Sequence, residues 1–205
     1  MHDTSYEIHA LPVAALLTAA GVVAVWWRLR RRGAFTALRA AAGAALCAYG
    51  SVVLTAVLLP IAIGRPGRDQ AWFTFLNLTP LVNTDPADML QNVVLFAPWG
   101  VLLPVVARVR SVRHVLLCGL VASLTIETLQ LVVDVTLGGG HAADVNDLLA
   151  NTLGAVVGYG ILRAAMLVPA LARLADAATW PASQSAETPT APADDDAVRR
   201  RVHTS

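Results

Sequence analysis

The sequence predicts an all-α, polytopic helical membrane protein with about five transmembrane helices, its N-terminus outside and its C-terminal tail disordered in the cytoplasm. Three observations predict this. The chain is 56% hydrophobic and only 14% charged, against about 25% charged in an ordinary soluble domain. Several windows reach the roughly 20 mostly apolar residues that cross a hydrocarbon core. Arginines cluster between alternate windows, as the positive-inside rule requires of a chain that weaves through a bilayer. The net charge of +1 gives no electrostatic footprint for nucleic acid. Every basic residue other than His is Arg, which with abundant Ala suggests a GC-rich bacterial genome. The expected location is a bacterial plasma membrane, crossed several times.

The elements follow in order. Residues 1–9 are short and polar, and a first span runs over about 9–27. RLRRRG follows this span, whereas a secretory signal carries its positive charge first. The segment therefore reads as an uncleaved anchor. A second span covers about 39–63, and a polar connector leads to a third over about 92–107, interrupted by Pro98 and Pro104. RVRSVRH precedes a fourth span, about 115–137; a glycine loop precedes a fifth, about 148–168. From about 169 the chain is rich in Ala, Pro, Ser, Thr and Asp and cannot bury enough apolar surface to fold alone. Three units result: two N-terminal helices (1–63), a membrane domain (64–168) and a polar tail (169–205). Cys47 and Cys118 fall inside apolar spans and read as small buried hydrophobes. No internal repeat is evident.

The polar residues inside the spans are spaced, not scattered. Ser123, Glu127, Gln130 and Asp134 are four, three and four apart, which draws one stripe on a helix face. Glu127 lies about 15 Å before the outer end of its span at 1.5 Å per residue. An acid at a helix centre costs about 2.5–3.5 kcal/mol on insertion scales, so it must face protein or a wet cavity. Asp144, Asp147 and Asn151 share a second face by the same spacing, and Gly154 and Gly158 continue it as a small-xxx-small pattern. Asn92, at the outer start of the third span, is placed to join them. A blander reading stands beside each. Asp144 with Asp147, and Asp85-Pro86 with Asp88, also have the form of helix N-termini. Asn92 and Asn151 serve equally as interhelical hydrogen-bonding groups, and His141 as a solvated loop residue after three glycines.

NLTPL (77–81), MLQNVVLFAPWGVLLP (89–104), SLTIETLQL (123–131) and DVNDLLANTLGAVVGY (144–159) resemble the successive blocks of the VanZ-like family, named for a small membrane protein associated with low-level teicoplanin resistance. The resemblance covers about 77–159. The family pattern maps onto Asn92, Phe96, Pro98 and Gly100, onto Glu127 and Gln130, and onto Asp144, Asp147, Asn151, Gly154 and Gly158. Many relatives carry an Arg three positions before Asp144, where this chain has His141. The resemblance implies a cell-envelope context and a glycopeptide phenotype, and no particular reaction.

Three functions fit these residues. In the first, Asn92, Gln130, His141, Asp144, Asp147 and Asn151 bind a lipid-linked wall precursor or an amphipathic lipoglycopeptide, with membrane lipids as neighbours. Asp85 and Asp88 rim that site, and Trp72, Phe73, Phe75 and Trp99 sit at interface level. In the second, Glu127 is the catalytic general acid or base of an enzyme acting on a lipid or lipid-linked substrate. Asp144, Asp147 and Asn151 would then hold a divalent cation through oxygen ligands. No nucleophile triad, phosphate-cradling loop or His cluster accompanies them. In the third, the buried Glu belongs to a small transporter. Composition and spacing fix no metal and no cofactor.

Overall fold

A computed structural model describes residues 6–59, 61–63, 72–82, 84–107, 109, 111–137 and 143–181. Five helices in it are long and apolar enough to cross a membrane. They are α1 (Ala10–Arg31), α2 (Ala37–Leu58), α3 (Pro86–Ala107), α4 (Val112–Leu137) and α5 (Val145–Ala165). A short helix, α6 (Pro169–Ala178), follows. Four short strands lie between them: β1 (Tyr6–Ile8), β2 (Ile61–Ile63), β3 (Leu76–Asn77) and β4 (Ala143–Asp144).

Three boundaries differ most from the sequence expectation: α2 stops at Leu58 and residues 61–63, expected within the second span, form β2 instead, and the start of α3 and the region after α5 differ for local reasons. α3 begins at Pro86 rather than near Asn92, because Pro86 is pre-set for a first helical turn and Asp85 accepts from the Ala87 N–H at 2.8 Å. α3 is then one continuous helix of membrane-spanning length, with Pro98 and Pro104 inside it. α2 is tied to this helix by the Tyr49 hydroxyl, which donates to the Leu95 carbonyl at 2.6 Å. α6 lies where the polar tail was expected to start. Pro169 opens it, and folded chain continues to 181. The rest of the expected tail, 182–205, lies outside the described residues.

The core of the bundle is the contact between α3 and α5. Gly154 lies against the Val93 carbonyl and Phe96, Gly158 against the Ala97 carbonyl, and Gly100 against the Ala155 carbonyl. The contacts advance together along both chains, so α3 and α5 run parallel. A Cβ at any of these glycines would overlap its neighbour, so only glycine permits the approach. α4 runs antiparallel to α5: Asp144 meets Glu127, and Asn151 meets Ser123. α1 pairs with α2, which in turn packs on α3. Beyond these helices, β1 and β2 pair antiparallel, tying the start of α1 to the end of α2.

At the opposite end, arginines meet aromatics. Arg30 lies over Trp26 and Phe35, and Arg31 lies 3.9 Å from the Trp27 centroid. The positive-inside rule assigns this end to the cytoplasm. Arg39 links α6 to the bundle there, donating to the Thr179 carbonyl at 3.0 Å and the Ala34 carbonyl at 3.1 Å. Trp180 returns a bond to the Arg39 carbonyl. Arg39→Ala should therefore loosen α6 alone. We expect faster tryptic cleavage at Arg173 and a loss of only about 1–2 kcal/mol, read by limited proteolysis and thermal melting in detergent.

Candidate functional site

The site begins with two helix N-termini placed side by side. Because α3 and α5 are parallel, both open at the same end of the bundle. Asp144 is extended (φ −120°) and caps α5, its side chain accepting from the Asn146 N–H at 2.8 Å. Asp85 does the same for α3. Asp88 and Asp147 occupy the two first turns, where negative charge offsets the helix dipole. The two segments read DPADMLQN (85–92) and DVNDLLAN (144–151), with Asp, Asp, Leu and Asn at matching places. The two helix openings thus share one short capping pattern. Its acids converge on a polar cavity of about 300 Å³, lined among others by Thr84, Asp85, Asp88, Asn92, Asp144 and Asp147. Asn92 crosses between the helices, its Nδ2 donating to Asp147 Oδ1 at 2.5 Å.

A second layer fixes Asp144. β3 pairs in parallel with β4, setting Asn77 beside Asp144, and Asn77 Nδ2 donates to Asp144 Oδ2 at 3.0 Å. Asn146 is fully buried. Its Nδ2 donates to Asp144 Oδ1 at 2.9 Å and to the Thr79 carbonyl at 3.4 Å. Its Oδ1 accepts from the Leu81 N–H at 2.7 Å. Leu81 itself has a φ of 58°, uncommon for a residue other than glycine. The NLTPL segment is thus wrapped onto the start of α5 by two asparagines.

Glu127 joins this layer from α4. It is 6% exposed, and its Oε2 accepts from the Asp144 N–H at 3.1 Å. Glu127 also forms part of the wall of an apolar groove of about 170 Å³ with Leu76, Leu78, Leu124, Leu131 and Leu148. Asp144 lines both the groove and the polar cavity. α4 continues past Glu127 to Leu137, about 15 Å at 1.5 Å per residue. Glu127 is deep against the end of its own helix, yet level with the start of α5.

The expected residues sort accordingly. Asn92, Asp144 and Asp147 meet at the polar cavity, and Glu127 reaches it through Asp144. Asn151 is buried away from it and donates to Ser123 Oγ at 3.1 Å; its Oδ1 is buried with no hydrogen-bond partner among the described residues. The cation set of Asp144, Asp147 and Asn151 is therefore not assembled. No group of three His, Cys, Asp or Glu side chains that could hold a metal occurs among the described residues. Gln130 is half-buried and lines neither cavity. His141 lies outside the described residues. Phe73 is exposed, Trp99 is half-buried, and the side chains of Trp72 and Phe75 lie outside the described residues. Sequence spacing missed Asn77 and Asn146 as site residues; the available signal was that Asn77 opens the NLTPL block and that Asn146 follows the Asp144 cap.

Five membrane-length helices with a polar site where two parallel helices open define an integral membrane protein whose site lies at one bilayer face. The family model described as VanZ/LLP1 matches residues 46–168, from within α2 to just past α5, and the chain belongs to this family. It is similar to Protein VanZ of Enterococcus faecium, at 34% identity over 90 residues. That match covers 42% of this chain and 53% of the relative, so it spans about half of the relative's length. No solved structure matches the chain.

Proposed function

We propose that this protein, in a bacterial plasma membrane, binds an amphipathic or lipid-linked envelope ligand at its outer-leaflet polar site and so gives low-level protection against a lipoglycopeptide such as teicoplanin. The observation that carries this reading is the acidic cavity between the openings of α3 and α5. Four aspartates are gathered there in a chain only 14% charged. Family membership supports the envelope context. The test is teicoplanin susceptibility of a sensitive Gram-positive host carrying wild type or Glu127→Gln at matched membrane levels, with vancomycin as control. Wild type should raise the inhibitory concentration of teicoplanin alone, and Glu127→Gln should not. No protection by wild type would remove the phenotype from this chain.

A second reading, a membrane enzyme acting on a lipid-linked substrate, is favoured by one observation. Glu127 is buried, accepts from the Asp144 N–H, and is set in the wall of an apolar groove, a suitable setting for a general acid or base. The readings part on two kinds of variant. An enzyme with Glu127→Gln keeps ligand affinity and loses turnover, whereas a binder loses affinity when the cavity aspartates are neutralised.

A further inference from the structure

We propose that α6 is a membrane-surface helix that docks on anionic phospholipid, with Leu167, Val168, Leu171 and Leu174 sunk into the leaflet at the arginine-rich end of the bundle. Such a contact stands apart from whatever the acidic cavity binds. Three observations lead there. First, α6 keeps one apolar side away from the bundle. It packs on α2 and α3, and Ala172, Ala175 and Ala178 are half-buried. Leu171 and Leu174, three apart and so on one face, are 45% and 50% exposed, and Leu167 just before the helix is 83% exposed. Arg173 projects from the side opposite the two leucines. A helix with one apolar and one charged side is the form that lies in a bilayer interface. Its ten residues are too few to hold a helix in water by propensity alone, so the leucine side contributes to the element itself.

Second, α6 is fastened at the depth of that interface. The Trp180 backbone N–H donates to the Val105 carbonyl at 3.3 Å, its indole N–H donates to the Arg39 carbonyl, and its ring lies against Gly43. Arg39 and Gly43 belong to the first two turns of α2, and Val105 to the last turn of α3. Ala175, Asp176 and Thr179 line one cavity of about 200 Å³ with Tyr159, Leu162 and Arg163 of α5. Tyr159 is about 9 Å inside the end of α5 at 1.5 Å per residue. Interfacial helices sit about 5–10 Å into the boundary of headgroups and acyl chains, which is the same depth.

Third, aromatics and charge mark this level. Trp26 and Trp27, near the end of α1, are exposed, as tryptophans at headgroup level are. Segments 28–39 and 108–114 carry arginines and no acid. Arg163 and Arg173 flank the leucine stripe, and Asp176 is the one acid of 163–181. Any acyl chain satisfies the leucines; the arginines select an anionic headgroup.

The experiment uses the full chain in nanodiscs, with Cys47→Ala and Cys118→Ala as background. A bimane fluorophore is placed on Leu171→Cys, Leu174→Cys or Arg173→Cys, and size-exclusion profiles confirm that each labelled protein is folded. Dibrominated phosphatidylglycerol or phosphatidylcholine quenches from the acyl region, and iodide quenches from water. Bromolipid should quench at 171 and 174 at least about threefold more than at 173, and iodide should show the reverse order. At equal mole fraction the brominated phosphatidylglycerol should quench at 174 about twofold more than the phosphatidylcholine. High salt should erase that advantage and leave the bromolipid quenching in place, because screening acts on charge and not on apolar burial. Arg163→Gln with Arg173→Gln should cut the advantage to about half. Iodide quenching at 171 and 174 without bromolipid quenching puts the stripe in water and overturns the assignment. Shielding of both positions from iodide and bromolipid alike means that protein, such as a second copy of the chain, covers them, and overturns it too. Equal quenching by the two bromolipids overturns the choice of anionic lipid.

Discussion

Gly158→Leu should abolish the monodisperse folded protein, while Gly160→Leu, two positions along the same helix, should leave it intact. Gly158 lies against the backbone carbonyl of Ala97, and nothing lies within 4 Å of a Cβ at Gly160. Overpacking a core commonly costs about 1–3 kcal/mol through shifted side chains. Here the obstruction is backbone, which cannot rotate aside, so the cost lies at or above that range. Against a total stability of about 5–15 kcal/mol, α3 and α5 would have to separate. Fluorescence-detected size exclusion and thermal melting in detergent read the outcome. A Gly158→Leu protein that elutes and melts like wild type would mean that glycine contact does not hold these helices together.

The second large effect is expected at Asn146. Asn146→Ala strips the partner from the Leu81 N–H and donors from Thr79 and Asp144. Asp144 Oδ1 keeps the Asn146 N–H and the Leu81 and Thr79 groups lie in an exposed segment, so the loss expected is that of ordinary hydrogen bonds, about 1–2 kcal/mol. The damage should be local in form: the 76–82 segment becomes open to protease while the helices persist. Asn146→Asp separates the contributions. It keeps an acceptor for Leu81 but sets a second carboxylate against Asp144, so it should disturb the site at least as much. If Asn146→Ala neither lowers the melting temperature nor exposes the segment, the asparagine is not what fastens it.

The helices were legible because the bilayer leaves little choice. A span must satisfy its own backbone and show apolar side chains to lipid, and both demands are written in composition. The start of α3 was harder, since its polar first turns look like connector. The two Asp-x-x-Asp segments were readable as caps, and they are caps as well as cavity walls. Asn151 was misplaced for a definite reason. Helical spacing gives the face a residue lies on and not its depth: one turn beyond Asp147, Asn151 is buried against α4 and donates to Ser123 Oγ. Asn77 and Asn146 were not legible as partners at all. Their roles depend on β3 returning to the start of α5, a pairing across 67 positions between Asn77 and Asp144 that no local periodicity encodes.

The height of α4 above the start of α5 decides how anything reaches this site. The tall helix stands along one side of the groove, and the groove opens between α4 and α5 toward the acyl chains. On the proposed reading, a ligand already dissolved in the leaflet would meet it by sliding in the plane of the membrane. Occupancy is then governed by the ligand's density per area of leaflet, which partitioning raises far above its density in water, much as a tether raises effective concentration. A modest intrinsic affinity suffices under those conditions.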